Sequence, residues 1–318
     1  MRRKTAAPPS PLPQRHGVDA VRVRLPRSEE WATVGDYLIE RLSGAAPGHV
    51  AGMLESGLVV DVDGRPVGAR TPYTPGLHLW FHRDLPPEVP VPFALDVVHR
   101  DEHLVVVDKP HFLATTPRGR HVTETALARL RRELGIPGLG AAHRLDRLTA
   151  GLVMFVVRPG DRGAYQSLFR ERRVRKEYEA VAPYDPSLAL PRTVRSRIVK
   201  DRGVLAAREV DGPVNAETLV ELVDHRGEWG RYRLTPHTGQ THQLRVHMNS
   251  LGVPILGDPL YPVVTGPVPD GDFSRPLQLL ARRLEFTDPV TRVAHRLCSG
   301  RKLAAWESYQ DWTGRRVG

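Results

Sequence analysis

The sequence predicts a protein of mixed helices and strands in two folded units, on three observations. At 318 residues the chain exceeds a typical single core and suits a domain of roughly 200 residues plus a smaller one. Short stretches with helical spacing alternate with short apolar or alternating runs of strand length. Pro86, Pro87, Pro90 and Pro92 form a stiff segment that divides the chain. The expected boundaries are a basic, proline-rich tail without structure over 1–22, a small domain over 23–86, a linker over 87–92 and a larger domain over 93–318.

Charge narrows the partner. Lys and Arg number 46 against 36 Asp and Glu, a net charge of +10, which favours a polyanion, because neutralising phosphates releases condensed counterions. Nucleic acid is preferred over an anionic membrane, since no basic amphipathic helix of sufficient length is present. Arg2, Arg3 and Lys4 are followed by Pro8, Pro9, Pro11 and Pro13 rather than an apolar signal core. Cys298 is the single cysteine, so the chain forms no internal disulfide and no cysteine zinc site. A cytoplasmic monomer is the expectation.

Taken in order, Val34, Leu38 and Leu42 have helical spacing and Gly44 can end that helix; Val50, Met53 and Leu54 mark a second, closed by Gly57. Leu58–Val62 leads into Asp63-Gly64, a hairpin signal, and Leu77–Phe81 reads as a strand. His103–Lys109 reads as a strand stopped by Pro110. A helix follows from about Thr123 to Leu134, with Gly135 as its stop; its Arg129, Arg131 and Arg132 read as a solvated face, with an RNA-facing one as the alternative. Leu152–Val157 is apolar throughout, as in a buried central strand. Asp161 is placed to cap a helix carrying Tyr165, Leu168 and Phe169. A basic run, Arg170, Arg172, Arg173, Arg175 and Lys176, leads to a strand with Val174, Lys176, Tyr178 and Ala180 on one face and Glu177 and Glu179 on the other. Thr241 can cap a further helix on which Leu244, Met248 and Leu251 share a face, ending at Gly252. No repeat of 20–50 residues is found, which excludes solenoids.

Three stretches carry chemistry. In His143-Arg144-Leu145-Asp146-Arg147, one carboxylate stands among cations that favour its ionised form, with His143 as a titratable donor. An ion-pair cluster at a strand entrance would look the same locally. The basic run before Tyr178 pairs phosphate-binding cations with a ring able to stack on a displaced base, a contact worth about 1–3 kcal/mol. Arg245 sits beside the apolar stripe of its helix, at the border of core and cleft. Metal binding by His237, His242 and His247 is disfavoured, because five residues turn a helix by about 140° rather than aligning two ligands.

The string H-R-L-D-R-x-T-x-G-L at 143–152 resembles the signature of the RluA-type pseudouridine synthases, enzymes that isomerise uridine in ribosomal or transfer RNA. Ala150 departs from it, standing where the family usually has serine. R-V-R-K-E-Y-E-A-V at 173–181 and T-G-x-T-H-Q-L-R-x-H-M at 238–248 resemble two further family blocks, and the Lys109-Pro110 strand end resembles its first motif, with Asp108 where asparagine is common. The resemblance implies an α+β fold with a largely antiparallel sheet carrying a cleft. It implies Asp146 as the catalytic residue, Tyr178 packing on the target base and Arg245 pairing with the aspartate through two parallel hydrogen bonds. RNA contacts are expected from Arg144, Arg147, Arg172, Arg173, Arg175, Lys176 and His242, with Arg144 entering the space of a flipped nucleotide. The family's reaction breaks the bond from ribose to the ring nitrogen, turns the base and rejoins it through a ring carbon, so neither a cofactor nor a metal is expected. The layout of 23–86 resembles a small RNA-binding domain of ribosomal proteins, with a generic α+β adaptor as the alternative; it inclines the substrate towards ribosomal RNA over transfer RNA. Two other functions stay open: an RNA N-glycosidase, which needs a second carboxylate such as Glu177 or Glu179, and a catalytically silent RNA-binding module.

Overall fold

A computed structural model describes residues 8–28, 30–42 and 48–314. The chain divides into two compact units, Met1–Pro87 and Glu88–Gly318. Arg2, Arg3 and Lys4, and Gly44 as a helix stop, lie outside the described residues.

In the first unit, strand β1 (Val21–Arg24) precedes helices α1 (Val34–Arg41) and α2 (His49–Glu55), and strand β2 (His78–Phe81) returns antiparallel to β1. Thr33 and Asp36 close a capping box at the start of α1, each satisfying the other's backbone N–H. Leu38, Met53, Leu54, Leu79 and Phe81 pack one small core. One expectation is corrected. Val21 and Arg22, assigned to the unstructured tail, pair with Phe81 and Trp80. The Asp63-Gly64 hairpin is present in short form: Val60 bridges Pro66 antiparallel, with the Asp61 N–H donating to Arg65 O and the Val67 N–H to Val59 O, and the Asp61 carboxylate accepts the N–H groups of Asp63 and Arg65 within the turn.

The second unit contains β3 (Asp96–Arg100), β4 (Leu104–Lys109), α3 (Ala126–Leu134), β5 (Gly140–Ala141), β6 (Ala150–Val156), α4 (Arg162–Arg170), β7 (Arg175–Pro183), β8 (Arg192–Val199), β9 (Arg208–Val210), β10 (Ala216–Arg226), β11 (Trp229–Pro236), α5 (Gln243–Ser250), β12 (Leu279–Thr287), β13 (Ala294–Cys298), α6 (Ala304–Glu307) and α7 (Tyr309–Gly314). Eleven strands form one sheet in the order β3-β4-β6-β12-β7-β11-β10-β8-β9, with β13 on β12 and β5 on β6. Every pairing is antiparallel except β6 with β12, so the fold is α+β with a mostly antiparallel sheet. Among the described residues no helix is long and apolar enough to cross a membrane.

The parallel step positions the site. Gly151 pairs with Ala281, Ala281 with Tyr178 and Tyr178 with Leu234, a single rung across β6, β12, β7 and β11. Through β12, Tyr178 lies next but one to the strand that the aspartate loop enters. Gly151 has φ of 110°, and a Cβ there would meet the Ala281 carbonyl oxygen at 2.3 Å, so this close crossing requires glycine. Ala150 belongs to an apolar cluster with Val181, Leu280 and Trp306, surroundings that suit a methyl better than the family's hydroxyl.

Four local expectations change. Residues 88–92 of the expected stiff linker pack against the chain that follows: the Glu88 carboxylate accepts the N–H groups of Val122, Thr123 and Glu124, and Val91 is buried. On α3, Arg129 donates to the carbonyls of Val91 and Phe93 and Arg131 to that of Leu139, so two of the three arginines tie down chain instead of facing solvent. Asp161 makes no side-chain cap on α4 and meets His103 instead, at 3.0 Å. The N-cap of α5 is His242, not Thr241, with φ of 59° and no side-chain cap bond.

Candidate active site

The loop between β5 and β6 holds Asp146 at the edge of a cleft of about 840 Å³. Three groups from one neighbouring segment fix this loop through its own carbonyls. Thr115 Oγ1 donates to Leu145 O at 2.8 Å, Lys109 Nζ to Arg147 O at 3.4 Å, and His111 Nδ1 to Leu148 O at 2.7 Å. A buried carbonyl without a donor is costly, so these contacts also select one loop conformation.

Lys109 is fully buried and also donates to Pro110 O and Leu113 O. Burial pulls its pKa down to about 7, against the opposing pull of Asp146. A lysine that ionises near 10.5 unfolded and near 7 folded leaves the unfolded chain with more bound protons between those values, so stability rises with pH across that window. Urea unfolding at pH 7.5 and 9.5 is expected to show wild type gaining about 3 kcal/mol over Lys109→Met between the two. An unchanged difference would contradict the depressed pKa.

His143 is not the titratable donor anticipated beside Asp146. Its Nε2 accepts the Met154 N–H at 3.1 Å, its ring stacks on Phe169 at 4.2 Å, and burial drives its pKa down to about 3, so it stays neutral. The basic side chains within 4 Å of Asp146 come from elsewhere in the chain: the Arg245 guanidinium, Nη1 at 3.4 Å, and the His242 imidazole, Nε2 at 3.8 Å. Arg144 and Arg147 line the cleft around it.

Arg245 departs from the expected geometry in a way that explains its placement. Its two-bond clamp goes to Asp258, with Nε at 2.7 Å from Oδ2 and Nη2 at 2.6 Å from Oδ1, and Nη1 is left to face Asp146. Burial opposes the guanidinium charge, but the Asp258 hydrogen bonds and the charges of Asp258 and Asp146 outweigh it and hold the pKa above its usual value. Sequence reasoning did not single out Asp258. The available signal was an acid flanked by Gly257 and Pro259, close behind a helix carrying a buried arginine. Gln243 was also missed. It accepts the Gln240 N–H and donates to Glu217 O and Thr218 Oγ1, which fixes the turn before α5.

Tyr178 projects from β7 into the cleft, its phenol pKa raised by burial and by Asp146. Lys176, two residues before it, donates to Thr238 O at 3.1 Å, and burial lowers its pKa to about 8. Arg172 and His242 join the same cleft. Arg173 and Arg175 do not: they line an adjoining groove, where they pair with Glu171 at 2.9 Å and Glu285 at 3.9 Å.

The three histidines of the third block have separate roles. His247 is buried between Thr218 Oγ1 and Ser196 Oγ, while His237 and His242 line the cleft. Among the described residues, the group with ligand atoms close enough to hold a metal is His99, Asp101 and His295, none of which lines the cleft. Glu177 and Glu179 pair with Arg233 and Arg282 away from it.

A sequence model of the RNA pseudouridylate synthase family matches residues 103–250. The dual-specificity RNA pseudouridine synthase RluA of Pasteurella multocida is 34% identical over 211 residues, covering 62% of this chain and 89% of that protein. The ribosomal large subunit pseudouridine synthase D of Neisseria meningitidis is 33% identical over 215 residues, covering 63% of this chain and 56% of the relative. Among solved structures, human RNA pseudouridylate synthase domain containing 4 superposes with a TM-score of 0.52 at 26% identity, covering 69% of this chain and 92% of that one. Sequence, sheet architecture and relatives agree, and the chain belongs to the RluA-type family of RNA pseudouridine synthases.

Proposed function

We propose that this enzyme isomerises uridine in ribosomal RNA with Asp146 as the catalytic carboxylate, Tyr178 against the target base and Arg245 directing the carboxylate. The observation that carries the reading is the convergence of these three side chains on one cleft from strings about 30 and 100 residues apart. The reaction needs an ionised carboxylate beside the anomeric carbon, a surface that retains the detached uracil and a fixed direction of approach. Arg245, 3.4 Å from Asp146 and locked by Asp258, supports the first and third; Tyr178 supports the second. Ribosomal RNA is preferred on the helix-and-strand layout of the first unit, a likeness to small RNA-binding domains of ribosomal proteins.

RNA contacts are assigned to Arg144, Arg147, Arg172, Lys176 and His242 around the cleft, and to Arg173 and Arg175 in the adjoining groove. Arg144 is the exposed member nearest Asp146 in sequence, suited to filling the space of a flipped nucleotide. Arg144→Ala is expected to reduce the fluorescence change of a base analogue placed beside the target uridine and to lower turnover. Unchanged flipping and turnover would remove this role.

The test of function is a product assay on ribosomal and transfer RNA isolated from a strain lacking the gene. Isomerised uridine in ribosomal RNA supports the reading, and isomerisation confined to transfer RNA overturns the substrate. Free uracil would indicate a glycosidase, and no product a binding module.

A further inference from the structure

The isomerisation exchanges one proton within the base. The N1–C1′ bond breaks and the C5–C1′ bond forms, so C5 must lose its hydrogen and N1 must gain one. A single carboxylate engaged at the sugar leaves that exchange without a partner. We propose that His242 is a second catalytic residue, whose Nε2 takes the proton from C5 once the carbon–carbon bond has formed and returns it to N1. The inference rests on the function proposed above.

The Tyr261 hydroxyl accepts the Ala207 N–H and donates to the Ala207 carbonyl, both at 2.8 Å. With its one proton assigned to that carbonyl, the hydroxyl accepts at the 3.1 Å contact with His242 Nδ1, which assigns the ring nitrogen as donor. Nδ1 carries the proton, and Nε2 presents a lone pair to the cleft. That nitrogen lies 3.8 Å from Asp146 Oδ2, two acceptors facing each other across a gap that a proton donor of the substrate can occupy.

The backbone supports a dedicated placement. His242 has φ of 59° and ψ of 14°, a left-handed conformation unusual for a residue with a side chain, at the first turn of α5. Its side chain is only 11% exposed. The groups acting on it are Asp146 from the loop before β6, Arg245 from α5, Asp258 and Tyr261 from the segment after α5, and Lys200 after β8. Burial is the largest influence and lowers its pKa, which keeps the ring unprotonated and able to accept.

The proton balance closes. Removal of H5 leaves the C–H electron pair to restore the ring double bond, and the imidazolium formed is paired with the Asp146 carboxylate. Delivery to N1 regenerates neutral imidazole. The same balance holds whether Asp146 bonds to the sugar or removes a ribose proton.

His242→Gly is the informative variant, because glycine accepts the left-handed backbone without strain and leaves an imidazole-sized space. Turnover is expected to fall about 10²-fold, the low end of a general acid–base contribution. Two readouts exclude a purely structural role. RNA carrying 5-deuterouridine should show a primary isotope effect on turnover in the variant that is absent in wild type, and free imidazole should restore rate in proportion to its unprotonated fraction. Lost turnover with neither effect overturns the inference, as does unchanged turnover. Wild type run in parallel separates this failure from failure of the function: no isomerised uridine from wild type overturns the reading of the enzyme itself.

Discussion

Asp146→Asn is expected to abolish pseudouridine formation while RNA affinity changes by no more than a few fold. Asparagine keeps the shape of the side chain and removes its charge. It can neither attack an anomeric carbon nor take a proton from the sugar, so both routes by which a carboxylate could open the glycosidic bond are lost together. Affinity should survive because the cations and the ring that hold RNA are separate side chains. The fold should survive as well. Asp146 is 35% exposed, and its partner Arg245 keeps its two hydrogen bonds to Asp258, so no buried charge is stranded. The checks are single-turnover product formation, a binding titration at fixed salt and a melting curve. Retained turnover would sink the assignment of Asp146, and loss of binding would recast it as an RNA contact.

The residues expected in the cleft were legible where chemistry depends on residue type in a short string. Asp146, Tyr178 and Arg245 each stand in a recognisable block, and their strands and helix follow from apolar spacing and an end signal, Gly252. Partners were less legible, because a pairing across the sheet leaves no trace in local spacing. Arg144 and Arg147 adjoin Asp146 in sequence, yet the basic side chains within 4 Å are the Arg245 guanidinium and the His242 imidazole, brought there by the turn before α5. Arginine was the right residue type to clamp a carboxylate, but the carboxylate it clamps is Asp258. Lys109, His111 and Thr115 support the loop by donating to backbone carbonyls, contacts that depend on chain path rather than on any pattern of side chains.

Two helix starts are likewise set by the fold rather than by local sequence. Asp161 and Thr241 are good capping types, but each position was decided by tertiary demand. Asp161 is drawn to His103, and the backbone before α5 turns through a left-handed residue to aim His242 into the cleft. Local rules fail here at a site where a strained conformation serves placement, which is where such failures are expected.

Asp258→Ala tests whether the buried ion pair acts for stability or for direction. Asp258 is fully buried and Arg245 is 3% exposed, so removing the carboxylate strands a guanidinium whose remaining contact with an acid is 3.4 Å away at Asp146. Breaking one side of such a pair costs about 3–5 kcal/mol, and urea unfolding should show a loss of that size. Turnover should fall as well, by about 10²-fold, because a shift of about 1 Å in a positioning group is enough for that. The double variant Asp258→Ala with Arg245→Met separates the two effects. With both charges gone, the desolvation cost disappears and apolar packing replaces it, so stability should recover most of the loss. Activity should not recover, since nothing then faces Asp146 from α5. Recovery of both would mean that Arg245 serves the fold alone. Recovery of stability without activity would mean that the buried carboxylate at 258 is kept to point Nη1 at the aspartate.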